Sequence, residues 1–294
     1  MFKKSTLSTK MLNKLMKGKP RLEVSGVNNM WHYVTKRMID QSVFMNRNKE
    51  ADLYYTSFGL MLAAGLNLRI NCKRLAKYLD SQDTGSMDLI HYASYVKCRM
   101  LLDYLKYGRF GFFLKNLFFK RKKTIPPLTG FPHNDPQAPY SQFILLSLKE
   151  DLGIKIPDKK AILQSLDAYR VPGGGFTNIR GHKVASINAT AAALAVIGQL
   201  QGYKRNEDVD FLFEQQDEVG SFRATPDALI GDILSTGAAV FVLSCYKIDL
   251  PRSTVDFIEI HGLASGGMKA TILDQDNGDV EYTFYGLLGL GSWR

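Results

Sequence analysis

The chain has 294 residues, 45% hydrophobic and 22% charged, ordinary values for a water-soluble globular protein and enough for a core burying roughly 75% of the unfolded surface. No apolar run approaches the ~18 residues of a membrane span. Three scattered cysteines, Cys72, Cys98 and Cys245, fit neither a disulfide framework nor a cysteine zinc site and favour a reducing compartment. The net charge of +10 is uneven: residues 1–24 set seven Lys/Arg against Glu23, and residues 97–123 set nine against Asp103. An anionic partner would therefore meet particular surfaces, not the whole fold.

In chain order, residues 1–27 read as a basic tail. No apolar block follows the charges, so the tail does not read as a secretory signal. Residues 28–294 read as one domain. It opens with "DLYYTSFGL" (Asp52–Leu60), a string echoed near its end by "DVEYTFYGL" (Asp279–Leu287). Between them Gly-aromatic turns recur: "TGF" ending at Phe131, "GGGF" at Phe176, "VGSF" at Phe222 and "SGGM" at Met268. Each turn leads into an apolar segment with Ser141, Thr190, Thr236 or Thr283 near its start, and the register extends back to Ser94 and Thr56. A spacing of 45–49 residues read this way gives six units.

The apolar segments, such as "NATAAALAVIGQL", are hydrophobic on every face, as buried helices are. The intervening ones carry one apolar stripe, as in Ile162, Leu166 and Tyr169, and read as outer helices closed by Gly turns. The expected fold is all-α: an α6/α6 toroid, a double ring of six inner and six outer helices. An open helical solenoid shares the local pattern, but matching first and last units without polar caps favour closure.

Segment 106–123, "KYGRFGFFLKNLFFKRKK", falls on the outer helix before Phe131. Phe112 and Phe119 lie off its apolar stripe, beside Lys120, Arg121, Lys122 and Lys123. Outward aromatics next to cations suit an anionic membrane surface, with a protein partner as the alternative. No nucleic-acid reader motif accompanies them. The expected location is cytoplasmic, attached peripherally at the inner membrane surface.

The Gly-Gly-Phe turns, the ~46-residue period and the terminal "DVEYTFYGLLGL" resemble the prenyltransferase and squalene-cyclase repeat of the terpenoid cyclase and protein prenyltransferase β-subunit superfamily. The resemblance spans about residues 30–292. It implies the toroid, a central apolar funnel and a ligand of the isoprenoid or prenyl diphosphate type. In the protein prenyltransferases an Asp, a Cys and a His converge on zinc. Asp232 matches the Asp, but Leu234 stands in the Cys place and Tyr282 in the His place. Zinc is therefore not expected as a cofactor, and the sequence neither assigns nor excludes magnesium. Against the acid motif of the class II cyclases, Asp279-Val280-Glu281-Tyr282-Thr283 puts Glu281 at the acid position. A carboxyl facing an apolar funnel would stay protonated, as acid catalysis needs.

The candidate catalytic residues are thus Glu281, Asp279 and Asp232. Asp before a helix is also an ordinary N-cap, and this reading applies to Asp52, Asp232 and Asp279 alike. The candidate ligand-binding residues are Arg180, His182, Arg223 and Lys269, in loops leading to inner-helix N-termini that favour anions, with Tyr55, Tyr282 and Tyr285 as funnel lining. Tyr54 belongs with these. Solvated loop cations are the plainer account of the first four. The leading expectation is a toroid that binds or processes an isoprenoid lipid without zinc. The alternatives are a non-catalytic scaffold with a plugged funnel, an acid-initiated cyclase using Glu281, and a glycosidase pairing Asp232 with Glu281 across ~5–9.5 Å.

Overall fold

Asp or Ser stands immediately before four of the apolar segments and accepts the backbone N–H three residues on: Asp52 from Tyr55 (2.8 Å), Ser186 from Ala189 (3.3 Å), Asp232 from Ser235 (2.8 Å) and Asp279 from Tyr282 (2.8 Å). These N-caps satisfy donors that a helix start leaves free. The structure, a computed structural model, describes residues 5–118, 125–274 and 278–293, without the side chains of 109–118.

The chain begins with α1 (Leu7–Gly18) and α2 (Val24–Lys36), then a small hairpin of β1 (Met38–Ile39) and β2 (Val43–Phe44). There follow α3 (Leu53–Leu66), α4 (Cys72–Asp80), α5 (Leu89–Phe118), α6 (Pro139–Leu152), α7 (Lys159–Asp167) and α8 (Ile187–Gln201). The last four are α9 (Glu207–Glu214), α10 (Ile233–Cys245), α11 (Val255–Ile260) and α12 (Val280–Ser292). The protein is all-α apart from the hairpin and isolated bridges. α5 breaks at Gly108, where φ is +67°.

Two kinds of helix alternate. α3, α8, α10 and α12 are buried almost all round, whereas α4 buries only Leu75 and Leu79, and α11 only Phe257 and Ile258. The four buried helices, together with the partly buried α5 and α6, pack in sequence: α3 on α5, α5 on α6, α6 on α8, α8 on α10, α10 on α12, and α12 back on α3. That last contact explains why the first and last strings of the domain match: both open neighbouring helices.

The period has a hydrogen-bonding cause. Thr190 Oγ1 accepts the Phe176 N–H (2.8 Å), Thr236 that of Phe222 (3.0 Å) and Thr283 that of Met268 (3.1 Å). In the first unit Thr56 takes the N–H of Phe44 (2.9 Å), an aromatic that carries no Gly-rich signal in the sequence. Ser141 departs from this pattern and donates to Pro132 O (3.2 Å). Adjacent units are joined by Ile187 N–H to Ala224 O and Ile233 N–H to Ala270 O, both 2.9 Å. The turns themselves need glycine. At Gly220 φ is +82°, and a Cβ would lie 1.8 Å from Ser253 O.

The expected basic tail is corrected here. Its residues Leu7, Met11 and Leu15 form one buried stripe on α1, which packs on α12, α3 and α6. Gly291 lets the backbones meet, since a Cβ there would sit 1.8 Å from Lys14 O. Polar contacts fix the ends: Leu7 N–H donates to Glu150 (2.9 Å), Ser8 Oγ to Asp151 (2.7 Å), and Lys10 Nζ to Gln199 (2.8 Å). Lys19 and Trp31 both donate to Leu66 O, a carbonyl that the end of α3 would otherwise leave open. Leu7, Met11 and Leu15 of α1 and Met30, Tyr33 and Val34 of α2 thus belong to the core. Burial of the apolar stripe decided this, with Lys17 left exposed.

Candidate functional site

All six helices of this closed sequence contribute to a cavity of about 450 Å³, within the ~300–1,000 Å³ of small-molecule sites. Its wall includes Tyr54 on α3, Lys97 on α5, Tyr140 on α6, Asn188 on α8, Phe241 on α10 and Glu281 on α12, with Met11 of α1 entering from the N-terminal segment. Most of the surface is apolar or aromatic. Tyr54 and Phe58 meet edge to face at 4.9 Å and Phe284 and Tyr285 at 5.2 Å, while Phe58 and Phe284 pack tilted at 4.9 Å. Among the described lining residues Lys97 is the only Lys or Arg and Glu281 the only carboxylate.

Glu281 sits in the first turn of α12, two residues after its cap, and is 9% exposed. The Tyr54 hydroxyl donates to its Oε1 at 2.6 Å. Burial raises its pKa above the usual carboxylate range, and the Tyr54 hydrogen bond opposes the shift. The protonated form is thereby favoured. Burial also raises three phenols of the wall: Tyr54 and Tyr285 strongly, and Tyr140 to about 12. They stay neutral hydrogen-bond donors. Asn188 Oδ1 is buried with no hydrogen-bond partner among the described residues. Burial lowers the Lys97 ammonium, and the Asp151 carboxylate acts in the opposite sense.

Asp279 is buried beside this site but does not line it. Its Oδ1 caps α12, and its Oδ2 accepts from Arg47 Nε (3.0 Å) and Nη2 (2.8 Å). Arg47 Nη2 also donates to the Tyr282 hydroxyl at 2.6 Å, and the guanidinium lies 5.2 Å from the Tyr282 ring centre. Where the resemblance would place a zinc ligand, this chain has a phenol engaged by an arginine. Among the described residues no three His, Cys, Asp or Glu side chains gather as a metal site. Asp232 caps α10 and is absent from the cavity wall, so the Asp232–Glu281 pair does not face a common space.

Of the predicted ligand-binding residues, Tyr285 lines the cavity, as does Tyr54, while Tyr55 and Tyr282 lie outside its wall. The four loop residues are also outside it. Arg180 donates to Gln137 (2.9 Å) and covers the Tyr169 ring at 5.3 Å. His182 is exposed, its Nδ1 3.2 Å from Val184 O. Arg223 Nη1 donates to Pro226 O and Lys269 Nζ to Ile272 O, both at 3.4 Å. Phe119, Lys120, Arg121, Lys122 and Lys123, and the side chain of Phe112, lie outside the described residues. No described helix is long and apolar enough to cross a membrane.

Sequence reasoning missed Arg47, Lys97, Tyr140 and Asn188. Tyr140 had a usable signal, being one residue before the register position Ser141. Lys97 had only its place in a basic run, which points to solvent. No protein-family model matches the chain, and no curated protein matches it.

Proposed function

We propose that the protein is an α6/α6 toroid, related to the terpenoid cyclase and protein prenyltransferase β-subunit superfamily, whose central cavity binds an isoprenoid-type lipid. The closed order of helix neighbours supports the toroid. One observation carries the ligand: an apolar, aromatic-walled cavity to which α3, α5, α6, α8, α10 and α12 all contribute. Such a wall fits a branched polyene by shape and dispersion. An open cavity also weighs against the scaffold reading, which needs Tyr and Phe to fill the axis. Peripheral membrane attachment through 106–123 belongs to the same proposal and rests on its sequence pattern; liposome flotation of a Phe112→Ser, Phe119→Ser double variant tests it, and unchanged flotation would sink it. Native mass spectrometry of the purified full chain, followed by lipid extraction, tests the main reading. A co-purifying isoprenoid is the expected result. A cavity occupied by a polar metabolite would overturn it.

A second reading is favoured by the setting of Glu281, a buried carboxyl in the aromatic wall whose pKa burial raises. Such a group can act as an acid on an alkene. Its proton would pass to one alkene carbon, the π pair forming the C–H bond and leaving a tertiary cation on the other. The carboxylate would keep the Tyr54 hydrogen bond, and return of a ligand C–H proton to it, its electron pair forming the product alkene, would end the step and restore the acid. The faces of Phe58, Phe284 and Tyr285 would stabilise the cation. Product formation from an isoprenoid substrate should be lost in Glu281→Gln; unchanged turnover would refute the role.

A further inference from the structure

Lys97 is unlike its neighbour Arg99, which pairs with Asp80. Lys97 sits on α5 with Ile90, Ala93 and Ser94, all lining the cavity, and among the described residues its Nζ has no hydrogen-bonding or ion-pair partner, only the more distant fields of Asp151 and Cys98. Asp151 on α6 reaches it only through the field; that carboxylate accepts from Ser8 of α1 at 2.7 Å. A cation facing an apolar space without a contacting anion is costly, and a ligand that brings the anion removes the cost. The number of cations selects the anion. With one Lys and no Arg among the described lining residues, the cavity suits a single negative charge. A diphosphate would bring two or three charges to one ammonium, and Arg180, Arg223 and Lys269 are not in the wall to meet them.

Resting on the isoprenoid reading of the cavity, we propose that its ligand is an apolar chain ending in a carboxylate, and that Lys97 is the cation that holds this carboxylate. The ammonium donates charge-assisted hydrogen bonds to the carboxylate oxygens, while the aromatic wall takes the chain. Ser94, one turn before Lys97, lines the same strip of α5 and offers a hydroxyl donor. Head-group recognition then occurs within the cavity, and the rim loops that carry the remaining cations are not needed for it.

Equilibrium dialysis of the full chain with farnesoic acid and with farnesol tests this, because the two share one chain and differ at the terminus. The unmodified protein should bind the acid about 10- to 100-fold more tightly, the usual worth of a charge-assisted hydrogen bond. Lys97→Met should abolish that preference and leave farnesol binding intact, and Lys97→Arg should retain it. Equal affinity for acid and alcohol, or a preference that survives Lys97→Met, overturns the proposal. Farnesol binding without acid preference overturns only the carboxylate, whereas failure to bind either compound overturns the isoprenoid cavity as well. Should Lys97→Met fail to fold, the acid-to-alcohol ratio of the unmodified protein still decides.

Discussion

Arg47 reaches across 232 residues of sequence to Asp279, its Nη2 2.8 Å from the Oδ2 of a carboxylate only 8% exposed. The same nitrogen holds the Tyr282 hydroxyl. The loop after β2 is thereby tied to the N-terminus of α12, where the chain's first and last buried helices meet. Arg47→Ala leaves the Asp279 carboxylate to its capping contact alone. Because the arginine is 59% exposed, solvent screening reduces the loss, and we expect about 1–2 kcal/mol in urea unfolding. An unchanged midpoint would show that the pair contributes nothing measurable.

The threonine hydrogen bonds explain the period, so removing one should be costly. Thr236→Val keeps the shape but leaves the buried Phe222 N–H without its acceptor. The expected loss is about 1–3 kcal/mol, with Thr236→Ser close to the unmodified protein. Denaturant titration of the two variants separates hydroxyl from methyl. If valine is as stable as serine, the bond does not set the turn.

Glu281 gives a pH dependence of definite sign. Its folded-state pKa is raised by burial, so the folded state binds the proton more tightly than the unfolded chain. That contribution is complete below the unfolded value near 4.5 and is lost as pH rises through the raised one. Glu281→Gln should match the unmodified protein at low pH and become relatively more stable as pH rises. The difference grows by no more than ~1.4 kcal/mol per pH unit. Thermal melts across pH 4–8 check this; parallel curves would mean Glu281 ionises as freely as in water.

His261 has the opposite sign. It is fully buried on the Phe257 carbonyl, with Nδ1 2.7 Å from the oxygen, and burial lowers its pKa below 6.5. The unfolded chain binds the proton more tightly, so this contribution is present above pH 6.5 and is lost as pH falls towards the folded value. His261→Asn should flatten the stability profile below pH 6.5. A profile of unchanged slope would assign the acid loss to other groups.

The period, the cap residues and the buried character of α8, α10 and α12 could all be read from residue order, because each rests on contacts within some fifteen positions. Phe176 with Thr190 and Phe222 with Thr236 lie 14 apart, and every cap lies three from its donor. Phe44 escaped the pattern because its turn is a β-hairpin without the Gly run. The site was legible only where it coincided with a helix start, at Glu281, Tyr54 and Tyr285. Asp232 and Asp279 share that position, yet their carboxylates are taken up by caps.

Alone, therefore, the sequence determined an all-helical repeat protein with alternating fully buried and one-faced helices. Tertiary structure decided what depends on contacts between distant units. It brought α12 against α3, folded the charged first helix into the core by its Leu7, Met11 and Leu15 stripe, and turned Lys97 from a basic run into the cavity wall. A charge carries no information about which side of a helix will be closed off from water. Only the neighbours packed around that helix decide it, and here they left one ammonium facing an apolar space.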